Sequence, residues 1–403
     1  MRRLAVLSLH SSPLLQPGSG DAGGMNVYVR ELVASLAQAG VHSTVYVRRW
    51  RDDLPPVVTV EPGFRVVHVP AGPASLTKEQ LLSTVDEFTD FVIDDLRSEG
   101  DVDALHANYW LSGIAGHRIK HTLDLPLVSV FHTLARVKAD TGDAEPQRRI
   151  DAEAEVIRCS DVIIANSRAE ADQLEHYYHA EPSRVEVVPP GVDHAFFSPG
   201  NKAGARAALG LGAEPVLLFV GRIQPLKGAA VAVEAVARSR HRDAKLLIVG
   251  GASGTEGSDE VRRVHALVDE LRLRDRVVFI PPQPHHVLST YYRAADAVLV
   301  PSRSESFGLV ALEAAACGTP VVAAAVGGLL TLVDEGRTGY LIDSREPRHY
   351  TVAIDRILDD PALSRALSAG AVRSAASYTW ATAAARLRRI YADLATRAPL
   401  RCD

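Results

Sequence analysis

Short apolar runs alternate with stretches of helical periodicity along almost the whole chain, and the alternation restarts once. Runs at residues 4–9, 44–47, 66–69, 104–107, 127–131, 162–165 and 185–188 are each too short for a buried helix and suit buried strands. Between them, residues 25–39 place Val29, Leu32, Val33 and Leu36 on one helical face, with Gly40 as the stop. Val188-Pro189-Pro190-Gly191-Val192-Asp193 and Ser198-Pro199-Gly200 then break the pattern as a linker would. Beyond them strands are expected at 216–220, 245–249, 277–280, 297–300 and 321–323. Two successive β-α arrays predict an α/β chain of two doubly wound, Rossmann-like domains with parallel sheets. The boundaries read as 1–195, 196–379 and a last amphipathic helix within 380–403 that can pack on either domain, packing back on the first being one option. Ligands of such sheets bind beyond the carboxyl ends of the strands, so two domains are expected to face one interdomain cleft and close over it about the linker.

Composition narrows the partners. The chain has 403 residues, 47% hydrophobic and 23% charged, which excludes a disordered tail or a fibrous repeat. Its 44 basic and 49 acidic side chains give a net charge of −5, so nothing draws it as a whole to nucleic acid or an anionic membrane. Any anion must be held by a local cluster. Arg2-Arg3 and the apolar run after them end at His10, too short for a signal peptide, and no window is long enough to span a membrane. The three cysteines, Cys159, Cys317 and Cys402, are few and far apart; the expectation is no disulfide framework, no thiolate zinc site and a reducing cytoplasm.

Gly18-Ser19-Gly20-Asp21-Ala22-Gly23 imitates a dinucleotide fingerprint. A stretch containing Pro13 and Pro17 separates it from the strand, however, and the second strand ends Val47-Arg48-Arg49 without the acidic residue a ribose would need. What remains is Gly23-Gly24 before a helix, where backbone N–H groups can approach an anion closely. Val216–Val220 followed by Gly221-Arg222, then Lys227-Gly228 before a helix, sets two cations at a strand end, suited to a diphosphate. The segment from Pro301 to Val321 carries Glu305 in a loop and Glu313 on the next helix, with seven residues between. Two carboxylates that accept vicinal hydroxyls, beside a helix N-terminus that favours phosphate, can read a sugar, a diphosphate and a ribose together. Asp101 and Asp103 imitate a metal-binding D-x-D but precede a strand and read as a polar lead-in.

The Gly-Arg-x5-Lys-Gly loop and the Glu-x7-Glu segment resemble those of retaining, nucleotide-sugar-dependent glycosyltransferases of the two-Rossmann-domain (GT-B) type. The resemblance runs through essentially the whole chain, in order. His10 to Leu14 and Gln16 to Tyr28 are similar to the branch that transfers N-acetylglucosamine from UDP-N-acetylglucosamine to 1D-myo-inositol 3-phosphate, the first step of mycothiol biosynthesis. The resemblance implies that His10, Asp21, Ala22, Gly23, Gly24, Met25 and Asn26 face the inositol and that Lys78, Tyr109, Thr133 and Arg148 bind its phosphate. It implies donor contacts from Gln16, Pro17 and Gly24, the diphosphate on Arg222 and Lys227, the transferred sugar on Glu305 and the ribose on Glu313. Gln283 stands where relatives tend to carry Arg, at a position lining the uracil pocket. No carboxylate in these motifs is placed as a double-displacement nucleophile. The resemblance implies same-face attack, with the leaving diphosphate taking the acceptor proton; His132 is expected to orient the donor or sugar hydroxyls. No cofactor is needed for that chemistry. A peripheral magnesium near Tyr292, Arg293, Ala295 and Thr319 and a homodimer complete the expectations. The rivals are a related transferase with a hexose phosphate or lipid-linked sugar as acceptor, a nucleotide-sugar epimerase of the same architecture, and a non-catalytic nucleotide-sugar sensor.

Overall fold

Strands buried on both faces read as near-continuous apolar runs, and the runs read from the sequence are of that kind. In the computed structural model, which describes residues 3–18, 22–142, 145–253 and 257–402, they become two separate sheets. The first sheet holds β1 (Arg3–Leu7), β2 (His42–Arg48), β3 (Val57–Glu61), β4 (Phe64–Val69), β5 (Ala104–Asn108), β6 (Leu127–Val130), β7 (Val162–Ala165) and β8 (Val185–Val187). Its order is β3-β4-β2-β1-β5-β6-β7-β8, parallel throughout except for β3, which pairs antiparallel with β4. The second holds β9 (Val216–Val220), β10 (Lys245–Val249), β11 (Val277–Ile280), β12 (Ala297–Val300), β13 (Val321–Ala324) and β14 (Gly339–Ile342). Its order, β11-β10-β9-β12-β13-β14, is the doubly wound dinucleotide-fold order. In each sheet the order reverses beside the first strand, between β1 and β5 and between β9 and β12. Loops leaving those strands diverge to opposite faces and open a crevice at the strand ends.

The chain divides into two units. One comprises the described residues of Met1–Leu15, Met25–Pro190 and Trp380–Asp403; the other, those of Gln16–Gly24 and Gly191–Thr379. The division after Pro190 falls five residues before the expected boundary at 195, and residues 16–18 and 22–24 group with the second unit. Gln16 Nε2 donates to the Pro282 carbonyl at 3.2 Å, and the Gly251 amide donates to the Gly18 carbonyl at 2.9 Å. The helix Trp380–Leu394 packs on the first sheet through Tyr391, whose hydroxyl meets His106 Nδ1 at 2.5 Å.

Two strands were not expected, β3 and β14. Val57–Glu61 alternates apolar with polar and is half-exposed, as an edge strand is, and Pro62-Gly63 turns it back into β4. The cysteine expectation is corrected as well. Cys159 and Cys402 stand 243 positions apart, yet their Cα atoms lie 5.4 Å apart and the sulfurs are bonded as a disulfide. The C-terminal tail returns to the first unit, which linear spacing does not reveal. Cys317 is a buried thiol in the second unit.

Candidate active site

The second unit gathers the cations and carboxylates of the two strongest motifs at its switch point. β9 ends at Val220, and the chain passes through Gly221 and Arg222 into a 3-10 turn, Pro225–Lys227. Gly228 closes that turn at φ 74°, and a Cβ there would lie 2.4 Å from the Pro301 carbonyl oxygen. Glycine therefore lets the loop after β9 touch the loop after β12. The Arg303 amide donates to the Leu226 carbonyl at 2.8 Å and ties the two loops together. Across them Lys227 Nζ sits 2.6 Å from Glu305 Oε2, which also accepts from Ser302 Oγ at 3.4 Å. The pair is three-quarters or more buried, so its Coulomb attraction is weakly screened. Arg222 Nη1 donates to Ser253 Oγ at 3.2 Å, and its guanidinium lies against Gly23, where a Cβ would stand 3.1 Å from Nε.

Glu305 is also held from behind by two residues not singled out in the sequence. The Gly328 amide donates to the Glu305 carbonyl at 2.9 Å, and Gly327, at φ 49°, comes so close that a Cβ would overlap that oxygen. The signal was a Gly-Gly pair just after a strand. The helix Leu309–Ala316 opens on Gly308 at φ 103° and carries Glu313 inward. Glu313 is buried, and its Oε2 accepts the Tyr292 hydroxyl at 2.7 Å. Burial pushes its carboxyl up to about 7, against the opposing pull of the Tyr292 hydrogen bond. A folded-state pKa above the ordinary 4.5 means that ionisation costs stability as pH rises from 4.5 to 7, a penalty that then stays. Two and a half pH units correspond to about 3 kcal/mol. Glu313→Gln is expected to be more stable than the parent at pH 8 by about that amount and nearly equal at pH 4.5. Urea unfolding of both proteins at the two pH values checks this, and identical pH slopes would refute it.

Gln283 turns its side chain back onto the Pro281 carbonyl at 2.9 Å. Pro17 is half-buried between Gln16 and Gly18, and Gly24 opens the helix Gly24–Gln38 with Leu309 Cδ1 3.5 Å from where a Cβ would lie. Ala22 is buried, its carbonyl taking the Gly18 amide at 2.9 Å. Asp21 lies outside the described residues.

Tyr292, Arg293 and Ala295 stand at the end of the helix His285–Ala294. Thr319 Oγ1 donates to the Tyr292 carbonyl at 2.7 Å, and the Ala295 amide reaches the same oxygen at 3.2 Å. The Arg293 guanidinium covers the Phe196 and Ser198 carbonyls at 2.6 and 2.8 Å. Neutral oxygens already engaged with one another, beside a guanidinium, fit a magnesium ion poorly, and no step below is routed through one.

The first unit forms a second cluster, at the ends of β1, β5 and β6. Among the described residues five non-glycine ones have positive φ, and three of them, Asp124, His179 and Arg272, cap or follow helices, where that conformation is common. The other two are Tyr109, at φ 75° just after β5, and His132, at φ 60° beyond β6. Backbone strain thus collects at the strand ends that topology marks for ligands. Lys78 Nζ and Arg149 Cζ each lie 5.0 Å from the centre of the Tyr109 ring, and the His10 ring stacks obliquely on it at 4.3 Å. Arg149 Nη2 donates to both Thr133 Oγ1 and the Thr133 carbonyl at 3.0 Å. Its other nitrogens reach Glu145 and Glu153 at 2.9 and 2.8 Å.

Lys78, Tyr109, Thr133 and His10 therefore meet, but Arg148 does not join them. It is exposed on the helix Gln147–Cys159, and the arginine at the ring is its neighbour. The Arg-Arg pair was visible in sequence; which one faces inward depends on helix phase, which one residue alters by about 100°. Asn26 is buried and bonds Ser11 Oγ at 2.7 Å and the Ser12 carbonyl at 2.6 Å, bracing the loop after β1. Met25 packs against the apolar cluster that includes Tyr109. His132 Nε2 lies 2.9 Å from Asn108 Oδ1, and the ring meets Tyr28 edge-on at 4.8 Å. Burial, then His106, lowers its pKa to about 3, so it acts as a neutral hydrogen-bonding group.

Comparison with known proteins agrees with both units. Residues 22–196 match the family described as Glycosyltransferase Family 4, and residues 202–373 match Glycosyl transferases group 1. A D-inositol 3-phosphate glycosyltransferase from Acidothermus cellulolyticus is 46% identical over 97% of this chain and 90% of its own. The protein of the same name from Actinosynnema mirum is 47% identical over 94% of each. Among solved structures, sucrose-phosphate synthase from Thermosynechococcus elongatus superposes with a TM-score of 0.93 at 33% identity, over 98% of this chain and 99% of that one. With 46–47% identity over nearly the full length and both family matches, the chain belongs to the group 1 glycosyltransferases of the D-inositol 3-phosphate glycosyltransferase family.

Proposed function

We propose that the protein transfers N-acetylglucosamine from UDP-N-acetylglucosamine to 1D-myo-inositol 3-phosphate with retention of anomeric configuration, releasing UDP. The observation that carries this reading is the Tyr109 cluster, a strained aromatic residue at a strand end with Lys78, His10 and the Thr133-Arg149 pair around it. A cation with a tyrosine and a threonine hydroxyl suits a phosphate monoester. The relatives named for D-inositol 3-phosphate favour that acceptor. In the second unit, Arg222 and Lys227 neutralise the charge that grows on the leaving diphosphate, Glu305 receives the sugar hydroxyls and Glu313 the ribose. The acceptor hydroxyl attacks from the face the diphosphate leaves, and a diphosphate oxygen takes its proton. The protein's contribution is positioning and charge stabilisation. His132, being neutral, orients hydroxyls rather than carrying a proton.

The resemblance to sucrose-phosphate synthase favours a second reading, a hexose phosphate acceptor on the same phosphate site. Product analysis with UDP-N-acetylglucosamine and a panel of inositol and hexose phosphates decides between them. Lys78→Ala is expected to raise the acceptor KM roughly 10- to 150-fold, as loss of one charge-assisted contact does, and to leave calorimetric UDP affinity unchanged. Equal turnover of inositol and its phosphate would defeat the acceptor assignment.

A further inference from the structure

The tail that returns to the first unit brings four metal-binding side chains together. His117 and His121 stand one turn apart on one face of the helix Tyr109–Leu123. Cys159 ends the helix Gln147–Cys159, and Cys402 comes from the tail. One ligand atom from each of the four lies within 4.8 Å of all the others. Cys402 Sγ is 3.2 Å from His121 Nε2 and 3.8 Å from His117 Nε2.

A disulfide accounts for the two sulfurs and leaves the imidazoles unexplained. In a tetrahedral site with bonds of about 2.0–2.3 Å, neighbouring ligand atoms stand about 3.3–3.8 Å apart, close to the 3.2 and 3.8 Å that separate the two nitrogens from the Cys402 sulfur. The remaining nitrogen of His117, Nδ1, faces Glu155 Oε1 at 3.6 Å. A carboxylate behind the outer nitrogen of a histidine is the arrangement that orients a metal-bound imidazole. The tail is also seated apart from the sulfurs. Asp161 accepts the Leu400 amide on one oxygen, and on the other Lys120 Nζ at 2.6 Å and the Leu127 amide at 2.7 Å. Lys120 also donates to the Cys159 carbonyl at 3.0 Å.

We propose that His117, His121, Cys159 and Cys402 of the reduced chain form a structural zinc site that fastens the C-terminal tail to the first unit. Two thiolates and two imidazoles in a tetrahedral set select Zn2+ among the common divalent ions. Binding converts two thiols to thiolates and releases two protons. The disulfide is the oxidised, metal-free form of the same four residues, reached when an external thiol–disulfide oxidant accepts the two electrons. The site stands apart from the proposed transfer chemistry and does not depend on it.

The full chain, reduced with a phosphine and freed of metal, is titrated with Zn2+ and analysed for bound metal, and with Co2+ for the visible bands of a tetrahedral thiolate complex. About one equivalent per chain is expected, with Cys159 and Cys402 protected from alkylation until a chelator is added. His121→Ala is expected to lose the metal while still forming the disulfide on oxidation. Glu155→Gln is expected to bind about tenfold or more weakly. Cys402→Ser, which removes the tail's own ligand, is the blank. If the reduced parent holds no more zinc than Cys402→Ser, or if His121→Ala holds as much as the parent, the two cysteines form a disulfide pair alone and the proposal falls.

Discussion

Lys227→Ala is expected to lower kcat/KM for the nucleotide-sugar donor about 10²- to 10³-fold, the usual cost of removing one preorganised group that faces developing charge. Two effects add. The lost ammonium no longer offsets the negative charge on the departing diphosphate. Its removal also leaves Glu305, now 2.6 Å from Lys227 Nζ, as a partly buried carboxylate with its cation gone, beside the place proposed for an anionic donor. Lys227→Ala should therefore be worse than Arg222→Ala, whose guanidinium bonds the neutral Ser253 hydroxyl. Glu305→Ala in the Lys227→Ala background should lose less than the two single losses combined, because the residues interact directly. Steady-state kinetics of the three single variants and the double variant measure this. Full additivity would mean that the ion pair has no part in the site.

The motifs around Arg222 and Glu305 were legible because each is local. Gly221-Arg222 and Lys227-Gly228 lie in one loop, and Glu305 and Glu313 within one strand-loop-helix segment, so strand assignment alone puts them at one rim of the second sheet. Their pairing was not legible. That β9 neighbours β12 rather than β11 is a fact of sheet order, and this order is what brings Lys227 to Glu305. The first unit was less transparent still, since its cluster draws on loops after three strands and on two further segments. The family resemblance supplied Lys78, Tyr109 and Thr133, but not the inward arginine. Nor did sequence spacing expose Cys402 beside Cys159, because a return of 243 residues is set by where the last helix packs.

Arg149→Ala is expected to cost about 3–5 kcal/mol of stability, far more than Arg148→Ala, which should change it by no more than about 0.5 kcal/mol. Arg149 is buried among two carboxylates, Thr133 and the Tyr109 ring. Burial pulls its pKa down, but Tyr109, Glu153 and Glu145 outweigh that, and it stays charged at any working pH. Removing it strands Glu153, which is fully buried and keeps only the Ala135 amide and the Tyr178 hydroxyl as partners. Burial already raises the Glu153 carboxyl above its ordinary range, against the pull of Arg149. Without that cation its pKa rises further, and the variant takes up a proton on folding. The loss should accordingly be larger at pH 8 than at pH 5, where more of the unpaired carboxyl is protonated. Arg149→Met in a Glu153→Gln background, which removes both charges and keeps most of the volume, should recover much of the stability but not the acceptor KM, because the Thr133 hydroxyl loses its guanidinium partner either way. Chemical denaturation at the two pH values, paired with acceptor kinetics, separates the structural role from the binding role. A pH-independent loss in Arg149→Ala would mean that Glu153 finds another cation, Lys138, bonded to Glu145, being the other cation of that network.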